Sequence, residues 1–271
     1  MKIALVQTRT PATPEAARDH VLPLVREAAA AGARLIATPE GTNVLQKDRD
    51  KLAPLLTSLE EDIVVQALRQ AARELQVATL IGSALVRRAD GKFANRQALV
   101  AADGEIVATY DKLHMFDVDL PNGETARESA TYEPGDRAVT AEACGLKLGL
   151  TICYDVRFPA LHRALALAGA QVLTVPAAFT RPTGQAHWEV LLRARAIETG
   201  SFVLAPAQGG FHGDGRGTYG HSMVVGPWGE VIGHLDHDEP AVLLAELDLA
   251  AVGKARQAIP ALANARQFQG P

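Results

Sequence analysis

The chain has 271 residues, of which 48% are apolar, and a formal net charge of −4. This length is typical of one large domain or two small ones, and the absence of linkers, low-complexity segments and obvious repeats favours a single domain over residues 1–271. The small negative charge argues against a nucleic-acid-binding protein, which usually carries a surplus of basic residues.

The start of the chain, MKIALVQTR, runs directly into an apolar strand-like segment without a cleavage site, so no signal peptide is predicted. No apolar stretch is long enough to span a membrane, and we expect no membrane partner. The two cysteines, Cys144 and Cys153, are too few for a disulfide framework. We therefore expect a protein of the reducing cytoplasm, where a reactive thiol would stay free.

Runs rich in valine, isoleucine and leucine predict strands along the whole chain. They cover residues 2–7, 33–40, 77–86, 96–102, 105–112, 146–153, 171–176, 201–207, 221–227, 230–235 and 241–248. Helices are predicted between several of these strands, over residues 14–32, 59–75, 156–168 and 186–199. The first helix contains Pro23, which should kink it or delay its start, and the second follows a capping box of Ser58 and Glu61.

Two short turns indicate hairpins: Asp-Gly within AADGE at 101–105, and GPWGE at 226–230. Hairpins make the sheets mixed, and the residues after the first strand, QTRTPATPE, contain no G-x-G-x-x-G, so a simple Rossmann fold is disfavoured. The whole pattern predicts an α/β fold in which helices cover mixed sheets.

Three reactive or charged residues, Glu40, Lys112 and Cys153, each stand at the end of a predicted strand. Ligands often bind where strands end and loops diverge, so these side chains could converge. A thiol needs a base to become a nucleophile, and a carboxylate with a raised pKa could take its proton. An ammonium and a backbone N–H could then stabilise the oxyanion formed when sulfur attacks an amide.

Each residue also has an ordinary structural interpretation. A lone Cys153 is more often a core residue than a nucleophile. Glu40 could be a solvated loop charge, and Lys112 could protect a sheet edge from aggregation. The spacing within one sequence does not prove that the three meet.

Five segments together resemble the nitrilase superfamily of carbon–nitrogen hydrolases along almost the whole chain. They are TPEGTN, YDKLHMFDVDLP, GLTICYDVRFPAL, GQAHWEVLLRARAIETGSFVLAPAQ and YGHSMVVGPWGEV. The resemblance is strongest to the Nit branch of amidases. It implies a four-layer α-β-β-α sandwich with two mixed sheets, no cofactor and no metal. It also implies a homodimer or a higher even-numbered assembly, in which the C-terminal tail at about 253–271 contributes to dimer packing.

The resemblance also implies residue roles. Cys153 would be the nucleophile that forms a thioester, and Glu40 the general base and acid. Lys112 and the N–H of Tyr154 would form the oxyanion hole. Glu128, in ARESATYEPGD, would hold Lys112 and help to position the substrate.

Substrate contacts follow from the same resemblance. Arg157 would bind a substrate carboxylate, for which a guanidinium is well suited. Phe179 and Thr183 would face the substrate, although Phe179 could equally be a core residue and Thr183 the N-cap of a helix starting near Gly184. Gly41 stands where many relatives carry an apolar or aromatic residue, which could widen the acyl pocket.

The leading hypothesis is an amidase that hydrolyses a linear amide of a short α-keto dicarboxylic acid, such as deaminated glutathione or 2-oxoglutaramate. An N-carbamoyl amino acid hydrolase, an aliphatic amidase or a nitrilase would use the same residues. A papain-like site with His187 or His221, and a metal site of His212, Asp214 and His221, are weaker alternatives. The glycine-rich stretch FHGDGRGTYGH is better interpreted as a mobile active-site lid. A non-enzymatic binding protein is disfavoured because all three reactive residues are present.

Overall fold

The computed structural model describes residues 1–120 and 123–270. Its strands are β1 (Lys2–Gln7), β2 (Leu35–Ala37), β3 (Ala78–Arg87), β4 (Phe93–Val100), β5 (Ile106–Asp111), β6 (Asp117–Asp119), β7 (Thr125–Arg127), β8 (Val139–Ala143), β9 (Leu146–Leu150), β10 (Val172–Thr174), β11 (Phe202–Ala205), β12 (Gly209–Phe211), β13 (Gly217–Tyr219), β14 (Met223–Val225), β15 (Val231–His234) and β16 (Ala241–Glu246). The α-helices are α1 (Pro14–Ala30), α2 (Arg49–Leu52), α3 (Ile63–Leu75), α4 (Pro159–Leu167), α5 (Arg181–Thr199) and α6 (Ala250–Ala258). Short 3₁₀ turns cover Ala53–Leu55, Glu128–Ala130 and Cys153–Arg157.

Two six-stranded sheets of the same topology form the body of the protein. The first has the order β16-β1-β2-β3-β4-β5 and the second the order β8-β9-β10-β11-β14-β15. In each, three neighbouring parallel strands are flanked by antiparallel ones. The sheets are therefore mixed, as the hairpin turns predict.

Side chains of β1 alternate between two apolar layers, as the period of a strand requires. Ile3 and Leu5 belong to a core that also contains residues of the second sheet, whereas Ala4 and Val6 pack against α1 and α3. The helices α4 and α5 cover the outer face of the second sheet. Each fully buried leucine or isoleucine in these layers contributes roughly 1.5–3 kcal/mol. The layers are thus α-β-β-α.

Helix starts differ from the predictions for local reasons. Only half of the predicted capping box forms: Glu61 N donates to Ser58 Oγ at 3.3 Å, while Glu61 Oε2 accepts from Ser58 Oγ and not from its backbone N–H. Helix α3 begins only at Ile63. Asp62 is its N-cap, and Asp62 Oδ1 accepts hydrogen bonds from the N–H groups of Val64 and Val65, both at 2.9 Å. The predicted helix over 156–168 likewise starts late, at Pro159.

The helix predicted over 186–199 begins earlier, at Arg181, with Pro182 in its first turn, and ends at Gly200 as predicted. Pro23 lies inside the continuous helix α1. Short strands without a strong sequence pattern, β6, β7, β8, β12 and β13, were not predicted. Within the part of the chain that the structure describes, no helix is long and apolar enough to cross a bilayer.

Candidate active site

The ends of three strands bring Glu40, Lys112 and Cys153 to the wall of one cavity of about 540 Å³. Lys112 directly follows β5, and Glu40 lies shortly after β2. Strand β5 runs in the same direction as β2, so both carboxyl ends reach one edge of the first sheet. Cys153 follows β9 of the facing sheet. The site therefore lies at the carboxyl ends of strands from both sheets.

The ammonium of Lys112 is buried between two carboxylates. Lys112 Nζ lies 2.9 Å from Glu40 Oε1, and 2.9 and 2.8 Å from the two carboxylate oxygens of Glu128. The backbone N–H of Phe116 also donates to Glu128 Oε2 at 2.7 Å. The position of the ammonium is thus fixed from both sides.

Asn95, on β4, joins the same two carboxylates and was missed by the sequence reasoning. Asn95 Nδ2 lies 2.8 Å from Glu40 Oε1 and 3.3 Å from Glu128 Oε1. Its Oδ1 is buried and has no hydrogen-bond partner among the described residues, and Asn95 lines the cavity. The only sequence signal is a polar residue within the otherwise buried run FANRQALV.

The carboxylate of Glu40 has donors on both oxygens. Glu40 Oε1 accepts from Lys112 and Asn95, and Oε2 accepts from the backbone N–H of Ala178 at 2.9 Å. Gln208 Nε2 donates to the backbone carbonyl of Glu40 at 2.9 Å. Both the backbone and the side chain of this residue are therefore held in place.

Cys153 has an unusual backbone conformation. Its φ is +49°, in the left-handed region, which costs a non-glycine residue roughly 1–2 kcal/mol. Its N–H donates to the carbonyl of Pro176 at 2.8 Å, and the 3₁₀ turn Cys153–Arg157 starts at this residue. Such strain is concentrated at functional sites, where the surrounding structure imposes it.

Asp155 fixes this turn and was also missed by the sequence reasoning. It is fully buried, and its Oδ2 accepts from Tyr110 Oη at 2.7 Å and from the N–H of Ile152 at 2.9 Å. Its Oδ1 lies 3.1 Å from the N–H and 2.7 Å from Nδ1 of His114. Because Tyr110 and His114 flank Lys112 in sequence, Asp155 connects the lysine segment to the cysteine turn.

The charge state of Glu40 differs from the sequence expectation of a raised pKa. Burial alone raises the pKa of Glu40, but the Lys112 charge and hydrogen bonds from Cys153, Lys112 and Asn95 outweigh burial. The net pKa lies below the ordinary value, so the carboxylate is ionised at neutral pH.

Cys153 and Lys112 both have raised pKa values. Burial raises the pKa of the Cys153 thiol well above its ordinary value, the Glu40 charge raises it further, and Lys112 opposes both. Burial lowers the pKa of Lys112, but the charges of Glu128, Glu40 and Cys153 raise it more. The resting site thus holds a neutral thiol, an ammonium and an ionised glutamate.

Tyr154, predicted for the oxyanion hole, lines the cavity, as do Phe179 and Thr183, which were predicted to face the substrate. Phe179 is also a core residue, with its ring 4.8 Å from that of Trp188, so it lies in the core and at the cavity wall. Thr183 lies inside α5 rather than at its N-cap, which is Thr180.

Arg157 does not line the cavity. Its guanidinium lies 3.3 Å from Nδ1 of His187, and 5.9 and 5.4 Å from the ring centroids of Tyr154 and Phe179. Three other cations, Lys47, Arg127 and Arg216, do line it, and the sequence reasoning did not single them out.

The alternative sites do not assemble. Neither His187 nor His221 lines the cavity, and His221 Nδ1 lies 2.6 Å from the carbonyl of Tyr219. His212 Nε2 is hydrogen-bonded to Thr218 Oγ1 at 2.7 Å, while Asp214 pairs with Arg216. No group of three or more potential metal ligands occurs within residues 1–120 and 123–270.

The model of the carbon–nitrogen hydrolase family matches residues 2–257 of the chain. The deaminated glutathione amidase of Synechocystis sp. is 41% identical over 239 residues, which are 85% of each chain.

Solved structures share the fold. The NitFhit protein of C. elegans has a TM-score of 0.91 and 32% identity, and the match covers 98% of this chain but only 65% of NitFhit. A mutant of the amidase from Nesterenkonia sp. AN1, with acrylamide added at its active-site cysteine, has a TM-score of 0.79 and 28% identity, covering 96% of this chain and 98% of that one.

Proposed function

The chain belongs to the carbon–nitrogen hydrolase family, and we propose that it hydrolyses the amide of deaminated glutathione through a thioester on Cys153. The observation that carries this proposal is the convergence of Glu40, Lys112 and Cys153 on one cavity, where Lys112 Nζ lies 2.9 Å from Glu40 Oε1. A base, a nucleophile and a fixed positive charge in one cavity are the groups that amide hydrolysis requires.

In the acylation step, Cys153 Sγ attacks the amide carbonyl carbon while the thiol proton passes to Glu40. The oxyanion is stabilised by Lys112 Nζ and the N–H of Tyr154. As the oxyanion forms, it shares the Lys112 ammonium with Glu40, and the carboxylate becomes a stronger base. Collapse of the tetrahedral intermediate breaks the C–N bond, and the leaving amine takes the proton from Glu40.

In the deacylation step, water attacks the thioester carbonyl and gives a proton to Glu40. The same two donors stabilise the second oxyanion. Its collapse breaks the C–S bond, releases the carboxylic acid and returns the proton from Glu40 to sulfur. Glu128 and Asn95 act through their contacts with Lys112 and Glu40, which they keep in position.

Deaminated glutathione is proposed because similar proteins carry that name, as in Synechocystis sp. and in Homo sapiens at 41% identity. A cavity of about 540 Å³ lies in the range that accommodates a substrate of this size. Phe179 and Thr183 would contact the acyl chain. Arg157 would bind the acyl carboxylate after its side chain moves from His187 towards the cavity.

The test compares wild-type protein with Cys153→Ala on deaminated glutathione. We expect the variant to lose at least about a thousandfold in kcat/KM, because no other group can accept the acyl chain. Cys144→Ala, which removes the half-buried second thiol outside the cavity, is the matched control and should keep wild-type activity.

Intact-mass measurement in a single turnover should detect the acyl group on wild-type protein. Unchanged turnover by Cys153→Ala would refute the mechanism. Hydrolysis of 2-oxoglutaramate or of a nitrile, without turnover of deaminated glutathione, would be consistent with the mechanism but would refute deaminated glutathione as the substrate.

A further inference from the structure

One end of the cavity carries a pair of cations that the proposed mechanism does not use. The loop before α2 contributes Lys47, and the turn between β12 and β13 contributes Gly215 and Arg216. A Cβ atom built on Gly215 would lie 3.8 Å from Lys47 Nζ, so the ammonium lies against this turn. Two segments that are far apart in sequence therefore bring the Lys47 ammonium against the turn that carries Arg216.

Asp214 joins these two segments and orients Arg216. Asp214 Oδ2 accepts from the backbone N–H of Lys47 at 2.8 Å, and from Arg216 Nε and Nη2 at 3.1 and 2.8 Å. The Asp214 side chain is 1% exposed, whereas that of Arg216 is 32% exposed. The acid is therefore buried by its protein partners, and part of the guanidinium still faces the cavity.

Lys47 Nζ has no ion pair or hydrogen bond with any residue that the structure describes. Two cations and one acid leave this end of the cavity with one positive charge in excess. Arg127, a third cation at the cavity wall, is already paired with Asp119 at 2.7 Å. The excess charge favours an anionic ligand.

Tyr132 adds a neutral donor to the same region. It lines the cavity, and its hydroxyl has no hydrogen-bond partner among residues 1–120 and 123–270. Burial raises its pKa, as does the charge of Glu128, while that of Arg216 lowers it. The hydroxyl therefore stays protonated at neutral pH and can act as a donor.

We propose that Lys47, Arg216 and Tyr132 bind a carboxylate on the leaving amine of the substrate. This inference rests on the proposed function, because it assigns the part of the cavity that the acyl group does not occupy. The ligand class is an amide whose amine half ends in a carboxylate, as a dipeptide does. The cysteinylglycine half of deaminated glutathione has such a group, whereas the ammonia released from 2-oxoglutaramate has none.

The test uses deaminated glutathione and the same compound with its C-terminal carboxylate capped as an amide. Wild-type protein should prefer the free carboxylate at least tenfold in kcat/KM, mainly through KM, since a charged hydrogen-bonded pair typically contributes such a factor. In Lys47→Gln this preference should fall about tenfold.

The matched control is Lys51→Gln, on the exposed surface of α2 and outside the cavity, which should keep the wild-type preference. Arg216→Lys should reduce the preference less than Arg216→Gln, because it keeps the charge but loses the planar fork. Arg216 variants also disturb the buried Asp214, so Lys47→Gln is the deciding variant. Lys47 contacts Asp214 only through its backbone N–H, which the substitution keeps.

Equal turnover of the free and capped compounds by wild-type protein would overturn the inference, and so would an unchanged preference in Lys47→Gln. If wild-type protein hydrolyses neither compound, the proposed substrate fails. In that case the inference is tested with the glycine and glycinamide amides of whichever acyl group the protein does hydrolyse. Equal turnover of these two amides would overturn the inference.

Discussion

At the residue scale, the electrostatics of Glu40 decide how the site depends on pH. Its pKa lies below the ordinary value because Lys112, Cys153 and Asn95 together outweigh its burial. The thiol of Cys153 and the ammonium of Lys112 hold their protons more tightly than usual. One protonation state of the three groups therefore persists over a wide pH range.

We predict a flat pH profile of kcat/KM through neutral pH. The acid limb should lie below pH 4.5, the ordinary pKa of the carboxyl group, because activity is lost only when Glu40 is protonated. The alkaline limb should lie above pH 9.0, the ordinary pKa of the thiol. Initial rates in buffers of constant ionic strength measure the profile. A limb near 6.5 would instead indicate a histidine base and contradict this assignment.

At the element scale, the cysteine turn depends on Asp155. All four of its neighbouring polar atoms can act as donors: Tyr110 Oη, the Ile152 N–H, and the N–H and Nδ1 of His114. A carboxylate, which only accepts, is the side chain of this size that satisfies all four. Asp155 therefore links the end of β5 to the turn in which Cys153 has its left-handed backbone conformation.

We predict that Asp155→Asn destabilises the protein by about 2–4 kcal/mol, because one amide NH₂ group would face donors in a fully buried site. Urea denaturation measures the free energy of unfolding. The activity of the folded variant should also fall, since the cysteine turn loses its support. Asp136→Asn, at an 84% exposed side chain, is the control and should have little effect. Wild-type stability of Asp155→Asn would show that the turn is held by other contacts.

The loop that follows Glu40 depends on the backbone conformation of Gly41. Its φ is +65°, and a Cβ atom there would lie 2.9 Å from Leu45 Cδ1 and 3.2 Å from the Val44 carbonyl. A residue with a side chain at this position therefore requires a different loop conformation. The effect of Gly41 on the acyl pocket thus depends on the path of the backbone as well as on the size of the side chain.

At the scale of the whole molecule, most of the longer strands and the convergence of three strand ends could be predicted. Buried strands leave runs of apolar residues in the sequence, and the reactive residues stand where those runs end. Asn95 could not be predicted, because its role depends on a register between strands that sequence spacing does not specify. The same holds for Lys47 and Arg216, whose loops meet at Asp214 and Gly215 although the two residues are 169 positions apart. Arg157 was predicted from family resemblance, and in this structure its side chain contacts His187 instead.

The exposed side of α5 and the adjacent turn between β14 and β15 carry exposed apolar side chains that suit a subunit interface. Val190 and Ile197 of α5 are 68% and 55% exposed, and Trp228, in the turn beside Ile197, is 59% exposed. In the C-terminal tail, Phe268 is 90% exposed. Isolated exposed apolar residues are common, but a group on one face indicates an interaction surface.

We therefore predict a homodimer formed through this face, with the tail at about 253–271 contributing to it. Ile197→Glu should convert the dimer to a monomer, because each subunit would bury a charge in a symmetric interface. Light scattering coupled to size-exclusion chromatography measures the mass, and Val107→Glu, at a half-exposed site on β5 of the other sheet, is the matched control. Removal of residues 259–271 should weaken the dimer, raising its dissociation constant. A wild-type monomer, or a dimer that Ile197→Glu leaves intact, would contradict the assignment of this face.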